Sequence, residues 1–412
     1  MPDRRLLAVL AALIVLAPPA VAHGAPSPAG AKATAAMQAL CLDQGWRCYS
    51  PLQVQRAYGL DRLHRAGIDG RGTTIAIIMN PAVDIVRSVE DQSRLFGLPK
   101  PQVTVAHPAG EAPLGEAGEP NIDLQAAHLV APRARLLFLA VPGAAVNHLY
   151  LQDEPLAKAV DAAVAAGADV ISMSFGGVEQ PYPKFRAALA RAAAAGVPAV
   201  TGSGDHGVTL PGLSGRQVFY PASDPNVTTL GGTLLTLDAR GRRFAPDLAW
   251  GPDAQGGASG GGVSGIFARP AWQRGVPGTI GTGRNYPDLS MLGAASSGLL
   301  IAFAREGDLV PAAGTSVATP LMAGVFALAR QHAGRRLRHV NRAIYRLARE
   351  PRRHGIVDVV VGNNSASDAH DGRTTGGHMV QGYMAHRGYD LVTGLGTVHA
   401  PRFVRALARA AR

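Results

Sequence analysis

Cysteine is nearly absent: Cys41 and Cys48 are the only two in 412 residues. Without further ligands beside them they do not make a metal site, and nothing around either supports a thiol nucleophile. In an oxidising compartment two cysteines this close are expected to close a small disulfide loop. Charge is sparse as well, at 17% of residues against 47% apolar, and the composition shows no sign of disorder or of a coiled coil. After the N-terminus no apolar run approaches the roughly 20 residues that a membrane helix needs, so no later span is expected. Acidic residues are outnumbered, 29 to 40, giving a net charge of +11 carried mainly by arginine. A basic balance can mean nucleic acid, an anionic surface or acidic substrates. Here the arginines are scattered, apart from clusters at 335–342, 346–353 and 402–412. Those are interleaved with apolar residues at helical spacing and read as solvated helix faces. No nucleic-acid-binding motif accompanies them, so no nucleic-acid partner is expected.

What is present begins with a targeting signal. Arg4 and Arg5 precede an apolar run at 6–17, followed by the small-x-small site Ala20-Val21-Ala22. This reads as a secretory signal peptide over 1–22, with a mature chain from His23 that is exported to the periplasm or the medium. Residues 23–50 form a short Ala/Pro/Gly-rich lead-in containing the cysteine loop, and 51–412 read as one large domain. Apolar, β-branched runs at 73–79, 134–141, 168–175, 198–202 and 299–303 alternate with helical patterns at 52–60, 123–130, 154–166, 184–195 and from 316 to about 331. Continuous apolar strands alternating with helices predict an α/β fold, a mostly parallel central sheet covered on both faces. Functional groups in such folds gather at the C-terminal ends of the strands. Residues 203–297 break the alternation with repeated turns and read as the loop-rich, substrate-facing part of the same domain.

Three segments carry chemistry. Gly314-Thr315-Ser316-Val317-Ala318-Thr319-Pro320 opens a long apolar helix, so Ser316 sits where the helix dipole favours developing negative charge. A bare Gly-Thr-Ser would be an ordinary helix cap, but the full run resembles the nucleophile segment of subtilisin-like folds. Those folds need an aspartate after the first strand and a histidine in a His-Gly-Thr segment. Here the first strand runs into Asn80-Pro81, and His-Gly-Thr does not occur. In its place stands Glu119-Pro120-Asn121-Ile122-Asp123. Glu119 and Asp123, one turn apart on one helix face, are expected to share a proton and titrate as a pair. By themselves they are equally ordinary helix-start acids. Asp205, in Ser203-Gly204-Asp205-His206-Gly207 at a strand end, falls where subtilisin-like folds place an oxyanion donor. An aspartate donates there only when protonated. His128 and His206 are the alternative bases, and would imply a neutral-pH enzyme.

Glu, Asp, Asp and Ser in this order resemble the sedolisin family of serine-carboxyl peptidases. Supporting matches are Ser172-Met173-Ser174-Phe175-Gly176-Gly177, Tyr220-Pro221-Ala222-Ser223-Asp224-Pro225, Gly262-Val263-Ser264, Arg269-Pro270-Ala271-Trp272-Gln273 and Arg284-Asn285-Tyr286-Pro287-Asp288. The resemblance covers residues 51 to 405 and implies a subtilisin-like fold and an acid-acting endopeptidase working on polypeptides as a monomer. It further implies Ser316 as nucleophile, Glu119 as base, Asp123 as its support and Asp205 as oxyanion donor. It also implies one structural Ca²⁺, held by Asp358 and Asp390 side chains with the carbonyls of Val359, His386 and Gly388. Asp368 and Asp371 are weaker candidates. The chain is expected to depart from the family in lacking a long prosegment, in having Phe175 where tryptophan is common, and in an uncertain extra acid, for which Asp84 is nearest. The competing expectations are a secreted binding protein that keeps the fold without activity, and a protein that holds anionic envelope polymers.

Overall fold

The computed structural model describes residues 25–146, 149–210, 212–252, 257–303, 308–367 and 378–412. The expected signal peptide and His23 lie outside the described residues, as do Asp368 and Asp371. Seven strands make the central sheet: β1 (Thr74–Met79), β2 (Gln102–Ala106), β3 (Arg135–Ala140), β4 (Val170–Met173), β5 (Ala199–Gly202), β6 (Val227–Leu234) and β7 (Leu289–Leu292). Their order is β2-β3-β1-β4-β5-β6-β7 and every pairing among them is parallel. An edge strand, Leu248–Ala249, adds antiparallel to β6. All positions of β1, β4, β5 and β7 are buried, as an apolar strand covered on both faces requires.

Seven helices matter below: α1 (Ile85–Phe96), α2 (Gly118–Val130), α3 (Asp153–Ala165), α4 (Pro183–Ala194), α5 (Thr315–Ala333), α6 (Val340–Leu347) and α7 (Ala400–Ala410). The expectation of helix faces holds for Arg342, Arg346, Arg402, Arg405 and Arg409, which are helical and exposed, but Arg335, Arg336 and Arg338 lie in the segment between α5 and α6. One continuous apolar core runs from Cys41 and Cys48 to Ala411.

Three sequence expectations are modified. The lead-in contains a helix, Pro28–Asp43, capped by the Ser27 hydroxyl and tied by the Cys41–Cys48 disulfide to the strand Arg47–Tyr49. Its alanine-rich sequence has almost no amphipathic pattern, which is why composition alone read it as a linker. The strand expected at 299–303 forms at Ser297–Ala302 but leaves the central sheet, lying between Arg47–Tyr49 and Leu309–Ala312. The region 203–297 is loop-rich as expected, yet it supplies β6 and β7 to the main sheet.

The site is set by the packing of α2 against α5. A Cβ on Gly324 would lie 2.5 Å from Val130 Cβ, so the two helices touch where α5 has no side chain. Gly324 is eight residues past Ser316 and Ala127 is eight past Glu119, so each helix start lies about 12 Å from that contact at 1.5 Å per residue. The Gln125 amide locks the roll of α2 by bonding both the N–H and the C=O of Ala302, at 2.8 and 2.7 Å. Replacing Gly324 with valine is therefore expected to wedge the helices apart, at an overpacking penalty of about 1–3 kcal/mol. Thermal unfolding should show a Tm lower by roughly 1–4 °C, and an unchanged Tm would mean that this contact does not set the helix spacing.

Candidate active site

The strands deliver functional groups at their C-terminal ends. Ser174 follows β4 directly, and β5 ends at Gly202, three residues before Asp205. Opposite them, α5 begins at Thr315, which places Ser316 in its first turn, where backbone N–H groups have no helical acceptor. Ser174, Phe175, Gly204, Asp205, Thr315 and Ser316 line one cleft of about 340 Å³, with Val146, Leu149, Leu210 and Phe219 forming apolar wall.

Asp205 is held over the start of α5. One of its oxygens, Oδ1, accepts from the Thr315 N–H at 2.7 Å and from the Thr315 hydroxyl at 2.8 Å. The other, Oδ2, lies against Gly314, where a Cβ would stand 2.6 Å away. Gly314 also has φ 106°, a backbone setting that side-chain-bearing residues avoid. Thr315 was not singled out from the sequence, although it stands beside the serine in the motif; its hydroxyl is what fixes Asp205.

Glu119 and Asp123 face Ser316 from α2. The acidity of Glu119 is suppressed well beyond the usual carboxylate range, first by burial and then by the charges of Asp123 and Asp205, with the Ser316 side chain acting in the opposite direction. Asp123 is fully buried, and burial likewise raises its pKa, against the opposing hydrogen bond from Ser174. Glu119 Oε1 and Asp123 Oδ2 are both buried without a hydrogen-bond partner. A proton on either acid would satisfy such an oxygen, and two buried acids with raised pKa values retain one.

The structure places the two histidines differently. His128 is fully buried and turns to α1, with Nε2 3.0 Å from Ser93 Oγ and 3.0 Å from the Pro99 carbonyl. Burial drives its pKa down to about 4, so it stays neutral in a structural role. His206 lines the cleft with Ser316. Asp84 is exposed at the start of α1 with φ 56°, and no interaction joins it to the carboxyl pair.

The second set of candidates also converges. Asp358 Oδ2 accepts from the Gly388 N–H at 2.9 Å, and Asp390 Oδ2 from the His386 N–H at 3.1 Å. The Thr393 hydroxyl lies 3.4 Å from the Val359 carbonyl and 3.2 Å from both Asp390 oxygens. Asp358 Oδ1 is buried with no hydrogen-bond partner, an arrangement that a bound cation would satisfy. Among the described residues no group of three or more His, Cys, Asp or Glu is placed to hold a metal. Asp358 and Asp390 thus both lie against the 386–388 backbone, oxygen chemistry of the kind that suits a hard cation such as Ca²⁺ better than a soft one.

With this geometry, the matches to known proteins are coherent. The family model for the subtilase family matches residues 106–346, a span holding Glu119, Asp123, Asp205 and Ser316. The chain belongs to the subtilase family, as one of its sedolisin-type members. It is 30% identical over 381 residues to kumamolisin of Bacillus sp. (strain MN-32), covering 87% of this chain and 63% of that protein. It is 34% identical over 221 residues to sedolisin of Pseudomonas sp. (strain 101), covering 51% of this chain and 35% of that protein. The solved Pseudomonas sedolisin, a serine-carboxyl proteinase complexed with two molecules of pseudo-iodotyrostatin, superimposes with a TM-score of 0.75 at 26% identity, over 89% of this chain and 100% of that one. The chain spans less than two thirds of the length of these curated relatives.

Raised carboxyl pKa values carry a stability signature. A carboxyl whose pKa is raised on folding binds its proton more tightly in the folded state. Its contribution to stability is therefore complete below the ordinary carboxylate range and is lost as pH rises toward the folded value. Melting temperature should fall between about pH 5 and pH 8, and Asp123→Asn should flatten that fall by removing a buried charge. A steeper fall in the variant would mean that the pair is not held protonated.

Proposed function

We propose that this chain is a secreted serine-type endopeptidase of the serine-carboxyl kind, hydrolysing polypeptides in acid. One observation carries the reading: the buried acids Glu119 and Asp123, the latter held by Ser174, act on one another beside the Ser316 hydroxyl, with Asp205 and Ser316 lining the same cleft. Ser316 attacks the scissile carbonyl while Glu119 takes its proton, and Asp123 orients Glu119 and shares the proton that the pair already holds. The oxyanion is received by the Ser316 N–H and by Asp205, whose Oδ1 is occupied by Thr315 while Oδ2 carries the proton to be donated. Water then cleaves the acyl-enzyme with the same pair acting in reverse. Acid operation follows from this arrangement, because an ionised Asp205 has no proton to give. Export is supported by the charged, apolar and small-residue order of the first 22 residues and by the Cys41–Cys48 disulfide. Among the described residues no helix is long and apolar enough to cross a membrane.

Peptide hydrolysis by the full chain from pH 2 to 8 tests the chemistry. Activity confined to the acidic side, and lowered at least 10³-fold in both Ser316→Ala and Glu119→Ala, is the expected result. Activity at neutral pH that survives Glu119→Ala would refute the carboxylate base and point to His206. No cleavage at any pH from folded protein would leave a binding protein that keeps the fold.

We also assign Asp358, Val359, His386, Gly388 and Asp390 as holders of one structural Ca²⁺, which would supply positive charge between two loops and nothing to the reaction itself. Chelation should lower Tm by roughly 3 °C, the effect of losing a ligand present at about a hundred times its Kd. Asp390→Asn should melt at the chelated temperature with or without calcium. A wild-type Tm indifferent to chelator would remove the assignment.

A further inference from the structure

Ser174 stands at the cleft wall, directly after β4, and the chemistry so far gives it no task. Its hydroxyl oxygen lies 2.5 Å from Asp123 Oδ1 and 3.5 Å from the Ser316 carbonyl. A hydroxyl has one proton, and at these distances it is donated to the carboxylate. The Ser316 carbonyl is open to a neighbour for a local reason. Pro320, four residues on within α5, has no N–H, so the usual helical donor to that carbonyl is missing. Ser174 therefore touches the far acid of the pair and the backbone turn of the nucleophile from one position on the sheet.

We propose that Ser174 is a positioning residue for the acid–base pair: it fixes Asp123 as the far end of the proton path from Ser316, and so sets the acid limb of the activity. The inference rests on the reading of Glu119 as the base. The groups facing the pair are few. Glu119 feels Asp123, Asp205 and the Ser316 hydroxyl, while Asp123 feels burial and the Ser174 hydroxyl. From α1, which packs against α2, the Ser93 hydroxyl is engaged with His128, whose Nε2 is turned to Ser93 and the Pro99 carbonyl and whose charge appears only below about pH 4. No cation acts on Asp123 among the described residues. One neutral hydroxyl thus remains to favour the charged form of a fully buried carboxylate. The balance of the step is simple: the Ser316 O–H bond breaks as its oxygen bonds the carbonyl carbon, Glu119 gains that proton, and the proton already shared shifts toward Asp123. Ser174 keeps its own proton throughout and holds Asp123 Oδ1, leaving Oδ2 to receive.

The sign of the effect follows. Without the hydroxyl, Asp123 holds its proton to higher pH, so the pair loses its first proton, and gains the power to act as a base, later as pH rises. In Ser174→Ala the acid limb of kcat/KM should move up by roughly one pH unit, the size expected for one charge-assisted hydrogen bond. kcat should fall at least tenfold with KM changed less than threefold. Ser174→Thr, which keeps a hydroxyl, should retain the wild-type limb. Near-ultraviolet circular dichroism and melting curves would establish that each variant is folded. As a coupling test, Ser174→Ala should have no further effect on kcat in an Asp123→Asn background. A wild-type limb in folded Ser174→Ala, or an activity loss with an unmoved limb, overturns the proposal while leaving the peptidase reading intact. Absence of cleavage by the wild-type protein would instead remove the base together with its support.

Discussion

The site depends on two carboxyl groups being kept out of water within reach of one serine. A buried carboxylate is expensive to ionise, and two together more so. Glu119 and Asp123 therefore hold a proton that an exposed pair would release, and burial is the first cause of the shift in both. That single condition explains why the base need not be an imidazole. A carboxyl pair made weakly acidic by desolvation approaches the proton affinity that a histidine has in solution. The imidazole nearest to the pair in sequence, His128, is treated oppositely by the same physics. Burial lowers its proton affinity, and it serves as a neutral link between α1 and α2.

Burial of this kind demands that the backbone do the placing, since flexible acids would find water. The N-terminal ends of α2 and α5 are brought together by a close approach at Gly324, Ala127 and Val130. Further along α2, Gln125 grips Ala302, and the carbonyls of Leu129 and Val130 are taken by Gln55 at 2.7 Å and His64 at 2.8 Å. The helix is thus anchored along its whole second half, and its first turn projects at the site as a rigid arm. Strands β4 and β5 supply the opposite wall, with Ser174 and Asp205 at equivalent ends of neighbouring strands.

Much of this was legible in the sequence because it depends on local pattern. Buried parallel strands announce themselves as unbroken apolar runs, and four of the five runs expected in the central sheet are there, as β1, β3, β4 and β5. The helix starts at Glu119 and Ser316 were marked by proline and by the Gly-Thr-Ser run. The helix Pro28–Asp43 was not legible, because its contacts are made by an alanine-rich surface and by backbone approach at Gly30. Nor was the departure of Ser297–Ala302 from the main sheet, since an apolar run shows that a strand is covered on both faces but not which strands flank it. Ser174 was hidden for another reason. It was visible only as part of a matching segment, and its bond to Asp123 joins residues 51 positions apart.

The two halves of the site make opposite electrostatic demands, and the fold answers each by a different means. The base must be able to lose a proton, so the pair needs something that favours its charged form; here that is hydroxyl groups, Ser316 on Glu119 and Ser174 on Asp123. On the other side of Ser316, the two oxygens of Asp205 meet different surroundings. Thr315 engages Oδ1 with two donors, while Oδ2 lies against Gly314, a residue with no side chain to offer one. Oδ2 is thereby left open beside the first turn of α5, where backbone N–H groups have no helical acceptor. Gly314 and Thr315 thus do by shape and hydrogen bonding for Asp205 what burial does for the carboxyl pair: they fix which oxygen faces the start of the helix.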